Sequence, residues 1–122
     1  MKNCACLSGK TYEECCAPFH KFKTKPAHAE EVLRARYSAY VHGAIDYLEE
    51  SHHPDKRKEF NRQEADIWSK EAKWKGLEII HVEPKSTDEE EVEFICHYIV
   101  KDIDYKHHEK ALFKKEKNDW YF

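Results

Sequence analysis

Four of the five cysteines lie close together near the N-terminus, and this cluster constrains the fold more than any other feature. They form a Cys-x-Cys pair and an adjacent Cys-Cys pair, separated by a loop of eight residues, and they are Cys4, Cys6, Cys15 and Cys16. Two short pairs of thiolates joined by a tight loop can fold face to face and converge on one tetrahedral metal ion. Ser8 and Gly9 suit such a loop, because serine bonds to nearby backbone and glycine accepts a positive φ.

The all-sulfur ligand set favours Zn²⁺ as the ion. An iron–sulfur cluster also accepts four thiolates, but its cysteines usually come from wider spacings. A disulfide pattern is the other alternative. The first residues do not begin an apolar signal segment, so we expect a reducing, cytoplasmic compartment in which thiols persist. His20 could replace one cysteine as a ligand, although four cysteines already complete the set.

The cluster resembles the SEC-C motif, the zinc-binding element at the C-terminal tail of the translocase motor SecA. In that motif a Cys-x-Cys-Gly-Ser-Gly loop leads to Cys-Cys or Cys-His at the same separation, so the four cysteines fall on its ligand positions. Leu7 stands where the motif usually has glycine, and a positive φ there would strain a leucine. The SecA element binds the chaperone SecB in a zinc-dependent way. The resemblance therefore implies an element that binds another protein.

Length and charge predict one modest core with an N-terminal appendage. The chain has 122 residues, of which 37% are charged and 13% aromatic, and no apolar run is long enough to cross a membrane. The net charge is −3, yet residues 1–26 hold five lysines and only two acidic residues. This segment is only weakly basic, so its charge does not strongly indicate nucleic-acid binding. We divide the chain into a zinc knuckle with its linker (1–26) and a main domain (27–122).

The linker, residues 18–26, alternates lysines with apolar or small residues. Its lysines are Lys21, Lys23 and Lys25. One interpretation makes them a basic strip for single-stranded RNA, with Phe19 and Phe22 as stacking groups. The favoured interpretation makes both phenylalanines anchors on the main domain and leaves the lysines in solvent.

The main domain reads as three helices followed by antiparallel strands. Three- and four-residue apolar periodicity predicts helices over 27–42, 44–50 and 58–75, with Gly76 as the last stop signal. The period then changes to two, which predicts strands over 77–83, 91–100, 107–115 and 119–122. Cys96 lies on the apolar face of the long second strand and reads as a small buried side chain. We therefore predict an α+β fold in which a curved antiparallel sheet wraps three helices.

Longer stretches resemble the bacterial YchJ-like family. They are residues 32–54, the Trp74-Lys-Gly-Leu-Glu-Ile run, Val92-Glu-Phe, the His108-Glu109 pair with Phe113, and Trp120-Tyr121. The resemblance implies a SEC-C knuckle on a cone-shaped domain of the nuclear transport factor two-like (NTF2-like) superfamily, whose members often pair through the sheet. Some members of the family carry a second knuckle at the C-terminus, whereas this chain has no cysteine after Cys96.

The preferred functional hypothesis is a protein-interaction module whose basic knuckle meets an acidic surface on a partner protein or a ribosome. Another possibility is that the zinc ion is purely structural and only keeps the N-terminal segment folded. The alternative class is small-molecule binding or acid–base catalysis in the pocket of the cone. Its candidate residues are Arg36, Tyr37, Tyr40, His97, His108 and Glu109, with Asp46 and His81 as further proton-transfer groups. We also expect Arg36 to pair with Glu109.

Overall fold

The computed structural model describes residues 3–122 as helices that pack on one face of a four-stranded antiparallel sheet. The helices are α1 (Ala17–His20), α2 (Ala29–His42), α3 (Ile45–Glu50), a 3₁₀ helix (Pro54–Glu59) and α4 (Arg62–Glu71). The strands are β1 (Lys73–Ser86), β2 (Glu89–Val100), β3 (Ile103–Glu116) and β4 (Asp119–Tyr121), in that spatial order. The predicted α+β class is confirmed. No helix within residues 3–122 combines the length and apolarity that a membrane span requires.

Helix α2 is the central helix, and its ends follow from local chemistry. Glu30 and Glu31 lie in the first turn, where the helix dipole favours negative charge. Gly43 ends the helix in the left-handed conformation, with φ of 72°, and its N–H donates to the carbonyl of Ala39. Five consecutive residues, 35–39, are buried, so this part of the helix is covered on all sides, and α2 is the element on which the rest of the chain packs.

The single helix predicted over 58–75 is wrong. Asn61 interrupts it, because its side chain accepts a hydrogen bond from the N–H of Glu64 at 3.0 Å and caps a new helix start. Helix α4 then ends at Glu71, and the chain enters β1 two residues later.

The two residues expected at the end of that helix belong to the first strand instead. Trp74 pairs with Tyr98 of β2, and the pairing register shifts between Trp74 and Gly76. Gly76 therefore marks a β-bulge rather than a helix stop.

Two tight turns set the register of the sheet. Lys101 and Asp102 both have positive φ (51° and 65°), as do Lys117 and Asn118 (50° and 70°). Two consecutive left-handed residues are typical of the hairpin turn that matches strand twist. Pairing from Val100–Ile103 onward is unbroken along β2 and β3, so this turn decides which face each β3 side chain occupies.

Two clusters of buried side chains form the core. The first lies between α2 and the sheet and includes Val32, Leu33, Val92, Phe94 and Phe113. The second joins three of the N-terminal cysteines to α2, α3 and α4 through Ala35, Ala39, Tyr47, Leu48 and Ala65. The cysteine segment therefore shares a core with these helices.

Candidate metal centre and cavity

The four N-terminal cysteines converge as their spacing predicts. Their Sγ atoms all lie within 4.8 Å of one another, and Sγ of Cys15 lies 3.6 Å from Cys6 and 3.8 Å from Cys16. Sulfurs at about 2.3 Å from a tetrahedral zinc ion would be about 3.8 Å apart. All the cysteines are free thiols. The sulfur arrangement therefore fits one tetrahedral ion.

Backbone hydrogen bonds fold the loop that brings the two pairs together. The N–H of Cys4 donates to the carbonyl of Lys10 at 2.7 Å, and the N–H of Leu7 donates back to the carbonyl of Cys4 at 3.1 Å. Arg34 of α2 donates to the carbonyl of Cys6, which ties the loop to the central helix. Cys4, Cys6 and Cys16 are buried, whereas Cys15 is half-buried.

Hydrogen bonds within the cluster favour a thiolate. Those involving Cys16 and then Ser8 lower the pKa of Cys6 to about 4, against the opposing effect of burial. The same Cys6–Cys16 hydrogen bond, together with burial, raises the pKa of Cys16. The hydroxyl of Ser8 also shares a hydrogen bond with Sγ of Cys15 at 3.1 Å. The thiolate is the form of cysteine that binds metal, so the cluster already favours one charged ligand.

His20 lies outside the cluster. Its Nε2 lies 2.8 Å from the carbonyl of Ala35 and must donate to it, so Nδ1 accepts from the hydroxyl of Tyr12 at 2.7 Å. Both ring nitrogens are therefore engaged, and the alternative ligand set with His20 does not form.

The two linker phenylalanines differ in their surroundings. Phe19 is half-buried against the second core cluster, in the position expected of an anchor. Phe22 is 56% exposed, but its ring centroid lies 6.2 Å from that of Tyr47 in α3, so the covered part of its ring contacts the main domain as predicted. Lys25 pairs with Asp119 at 2.9 Å, while Lys21 and Lys23 extend into solvent.

Leu7 adopts the conformation that the glycine of the motif would adopt without strain. Its φ is 65° and its side chain is 61% exposed. A left-handed conformation costs an ordinary residue about 1–2 kcal/mol, and more when the side chain is β-branched.

We expect Leu7→Gly to match or exceed the native free energy of unfolding, and Leu7→Val to lie about 1–2 kcal/mol below Leu7→Gly. Denaturant unfolding of both variants tests this order, and a more stable valine variant would contradict it.

A cavity of about 480 Å³ opens between α2, α4 and the sheet. Aromatic side chains dominate its wall, among them Tyr37, Tyr40, Trp68, Trp74, Tyr98 and Phe122. Its polar lining consists of Arg36, His52, Glu59, Asn61, Glu64, His107 and Glu109. Its volume falls in the range of roughly 300–1,000 Å³ that is typical of small-molecule sites.

The structure brings four of the six predicted pocket residues to this cavity, namely Arg36, Tyr37, Tyr40 and Glu109. His97 and His108 lie on the opposite face of the sheet. There they contact Glu78 at 2.9 Å and Glu93 at 2.6 Å. The cause is the two-residue alternation of side chains along a strand, which turns both histidines away from the cavity.

Sequence reasoning missed His107, which lines the cavity and whose Nε2 lies 2.7 Å from Oε1 of Glu109. It could have been found by counting back in steps of two from the buried Phe113 and Ala111. The further candidates Asp46 and His81 are both exposed, and Asp46 pairs with Arg62 at 2.8 Å.

Arg36 does not pair with Glu109 as expected. Its Nη1 donates to the carbonyl of Leu48 at 2.8 Å and to Oγ of Ser51 at 2.7 Å, and its Cζ lies 4.4 Å from the ring centroid of Phe122. These partners are all neutral. Within residues 3–122 the structure gives Arg36 no carboxylate at salt-bridge distance.

Two further titratable groups of the cavity are neutral at pH 7. Burial raises the pKa of Tyr37 to about 12. Burial, followed by the charges of Arg36 and Arg57, lowers the pKa of His52 to about 4. Tyr37 is therefore a neutral phenol and a poor general base at this pH.

The lowered pKa of His52 predicts a pH-dependent stability. Because the unfolded chain binds a proton at His52 near pH 6.5 and the folded chain near pH 4, stability falls as the pH decreases between these values. The His52→Gln substitution removes this titrating group. The melting temperature of the variant should therefore fall less than that of the wild type when the pH decreases from 7 to 5. The exposed His81→Gln variant is the control and should follow the wild type. Equal pH profiles for all three proteins would contradict the prediction.

The fold and the cysteine cluster together define a class, an NTF2-like domain that carries a SEC-C-type cysteine motif. The family model described as "YchJ, middle NTF2-like domain" matches residues 28–122. A UPF0225 protein of Actinobacillus succinogenes is 38% identical over 120 residues, which cover 98% of this chain and 78% of that protein. A UPF0225 protein of Geobacter sulfurreducens is also 38% identical, over 98% of this chain and 75% of its own length.

Two solved structures share the whole architecture. The solution structure of a SEC-C motif-containing protein from Rhodopseudomonas palustris superimposes with a TM-score of 0.91 at 32% identity, covering 99% of this chain and 94% of that one. The crystal structure of a SEC-C motif-containing protein from Psychrobacter arcticus gives a TM-score of 0.89 at 28% identity, covering 100% and 80%. This chain belongs to the YchJ-like UPF0225 family, as its resemblance implied.

Proposed function

We propose that this chain is a zinc-dependent protein-interaction module. The cysteine cluster holds one Zn²⁺ ion, the ion fixes the N-terminal segment on α2, and that segment presents a basic, partly apolar surface to an acidic partner protein. The observation that carries the proposal is the convergence of four sulfur atoms within 4.8 Å of one another.

The ion in this proposal is structural. Four protein sulfurs fill a tetrahedral shell and leave no open position for a substrate, which is the pattern of structural zinc sites. The burial of Cys4, Cys6 and Cys16 supports the same role, because the ion would crosslink the loop to the second core cluster. In this proposal the structural metal site stabilises the N-terminal segment, and the same segment carries the surface that contacts the partner.

The proposed contact surface is residues 21–23, which we name the Lys-Phe-Lys tip. It follows directly on α1, and Phe22 has a positive φ of 57°. Its ring, 56% exposed, stands between two exposed lysines for which residues 3–122 supply no ion pair. An exposed aromatic side chain flanked by cations suits a partner surface with a hydrophobic pocket and an acidic rim.

Affinity capture tests this surface. The zinc-loaded protein is immobilised and exposed to a bacterial lysate, and captured proteins are quantified by mass spectrometry. Lys21→Glu, Lys23→Glu reverses the charge of the tip, and Lys56→Glu, Lys58→Glu makes the same charge change on the exposed 3₁₀ helix. We expect an acidic protein that the wild type and the 3₁₀ variant capture equally, and that the tip variant captures at least about tenfold less.

Two outcomes would contradict the proposed surface. Equal capture by all three proteins would show that the tip does not take part in binding. Loss of the captured protein after nuclease treatment of the lysate would show that nucleic acid, such as ribosomal RNA, mediates the contact.

The cavity supports small-molecule binding as a second candidate function. The observation that favours it is a buried, positively charged Arg36 in an aromatic-walled space. Acid–base catalysis in the same cavity would use the His107–Glu109 pair, whose atoms lie 2.7 Å apart.

A further inference from the structure

Arg36 carries a buried charge that has no carboxylate at salt-bridge distance within residues 3–122, and Glu109 attracts it only from beyond that distance. The residue is 7% exposed, and its contacts are a carbonyl, a hydroxyl and an aromatic ring. Burial lowers the pKa of Arg36, although a guanidinium stays protonated in proteins. A buried charge that lacks an opposite charge destabilises a fold, and this cost would be offset when an anion binds beside it.

One edge of the Arg36 guanidinium is free. Both of its hydrogen bonds use Nη1, and within residues 3–122 no partner is found for Nε or Nη2. Protein atoms do not fully enclose either nitrogen, so both border space that a ligand can enter. Arg36 lines the cavity. Nε and Nη2 form the fork that binds a carboxylate through two parallel hydrogen bonds.

A continuous aromatic wall shares the cavity with this guanidinium. Ring centroids of Tyr40 and Trp74 lie 5.3 Å apart, those of Trp74 and Tyr98 5.4 Å, and those of Trp68 and Tyr98 5.6 Å. Such rings offer a flat ligand large contact areas for offset or edge-to-face packing. The wall therefore suits an aromatic group.

The cavity also contains carboxylates, which would instead favour an organic cation on the aromatic wall. Glu109 already contacts His107 at 2.7 Å, and Glu59 and Glu64 are exposed to solvent. Solvent screens exposed charges strongly, whereas the buried charge of Arg36 is screened much less. The electrostatics of the interior therefore favour an anion over a cation.

We infer that the cavity binds aromatic carboxylates, with the carboxylate on the free edge of Arg36 and the ring against Trp74 and Tyr98. This inference is independent of the metal centre and of the Lys-Phe-Lys tip. It assigns a ligand class to the cavity and a binding role to Arg36.

Three probes of one shape test the inference on the unmodified, zinc-loaded protein. They are naphthylacetate, the neutral naphthylacetamide and the cationic (naphthylmethyl)trimethylammonium. Calorimetry should give the carboxylate a Kd at least about tenfold below that of either other probe, as expected for a bidentate, charge-assisted contact. In nitrogen-15 NMR spectra, naphthylacetate should shift the side-chain Nε–H resonance of Arg36, and the amide should shift it much less.

Variants test the contribution of the Arg36 guanidinium and that of the aromatic wall separately. Arg36→Lys keeps a cation but loses the fork, so naphthylacetate should bind at least about tenfold more weakly. Because Arg36 also bonds to Leu48 and Ser51, that variant can lose stability. Tyr98→Ala therefore removes part of the wall without touching Arg36, and it should weaken all three probes. Arg62→Gln, at an exposed arginine, is the control and should bind as the wild type does.

Tighter binding of the cationic probe would overturn the inference and assign the cavity to organic cations. Equal affinities for naphthylacetate and naphthylacetamide would show that Arg36 does not bind the carboxylate, and would also overturn the inference. No binding of naphthylacetate at millimolar concentration, or binding without a shift at Arg36, would also overturn it.

Discussion

Removal of the proposed metal ion with a chelator should lower the melting temperature of this protein by roughly 10 °C or more. Three of the four cysteine side chains are buried in a core cluster with Ala35, Ala39 and Leu48. Without an ion, this site holds crowded thiols and a buried thiolate, and the loop loses its crosslink to α2. Loss of a structural metal is among the few changes that cost more than about 3 kcal/mol, which corresponds to roughly 10 °C in a chain of this size.

Thermal unfolding with and without chelator measures this effect, and a cysteine variant supplies the control. Cys6→Ser removes one buried ligand, so it should melt at the lower temperature before any treatment and respond little to chelator. Cys96→Ser alters a cysteine outside the cluster and should keep the full response. Equal melting temperatures of the wild type with and without chelator would contradict a stabilising metal.

Phe113→Ala should lower the free energy of unfolding by about 3–5 kcal/mol, the usual cost of deleting a buried phenylalanine. Phe113 is fully buried in the first core cluster, and its ring centroid lies 5.5 Å from that of Phe122. Removing the ring leaves a void between the sheet and the C-terminal residues, which packed neighbours can fill only in part. Urea denaturation followed by tryptophan fluorescence measures the loss.

The adjacent residue on β3 provides the matched control. Leu112 is 44% exposed because it points to the other face of the strand, so Leu112→Ala should cost less than about 1 kcal/mol. A larger loss for Leu112→Ala than for Phe113→Ala would mean that the faces of β3 are exchanged. The pair therefore tests the register that also brings His107 and Glu109 to the cavity.

Secondary structure was predictable where one local signal dominated. Glu30, Glu31 and Gly43 mark the two ends of α2, and the predicted range of 27–42 differs from Ala29–His42 by two residues at one end only. The third helix was mispredicted because its pattern is sparse. Trp68 and Trp74 fit a helical face as well as two separate elements, and the cap at Asn61 and the bulge at Gly76 decide between them.

The cysteine cluster was predictable because all its members lie within a short loop, where spacing largely determines geometry. The cavity was only partly predictable, because its residues come from helices and strands far apart in sequence. Arg36 and Tyr40 follow from the periodicity of α2. His107 and His108 are neighbours, and the alternation of side chains that continues from Ala111 and Phe113 makes His107 the one that faces the cavity.

The contacts of Arg36 show a further limit of sequence reasoning. A partly buried arginine was expected to pair with a carboxylate, and Glu109 was the candidate named. The structure instead places a carbonyl and a hydroxyl at Nη1, and it joins Glu109 to His107. These partners lie at the C-terminal end of α3, and sequence periodicity does not show how α3 packs against α2.

Elemental analysis of freshly purified, reduced protein tests the central claim most directly. We predict one zinc ion per chain in the wild type and in Cys96→Ser, and none in the Cys15→Ser, Cys16→Ser double variant, which loses two of the four converging sulfurs. Absence of zinc from the wild type, or an undiminished zinc content in the double variant, would contradict the proposed metal centre.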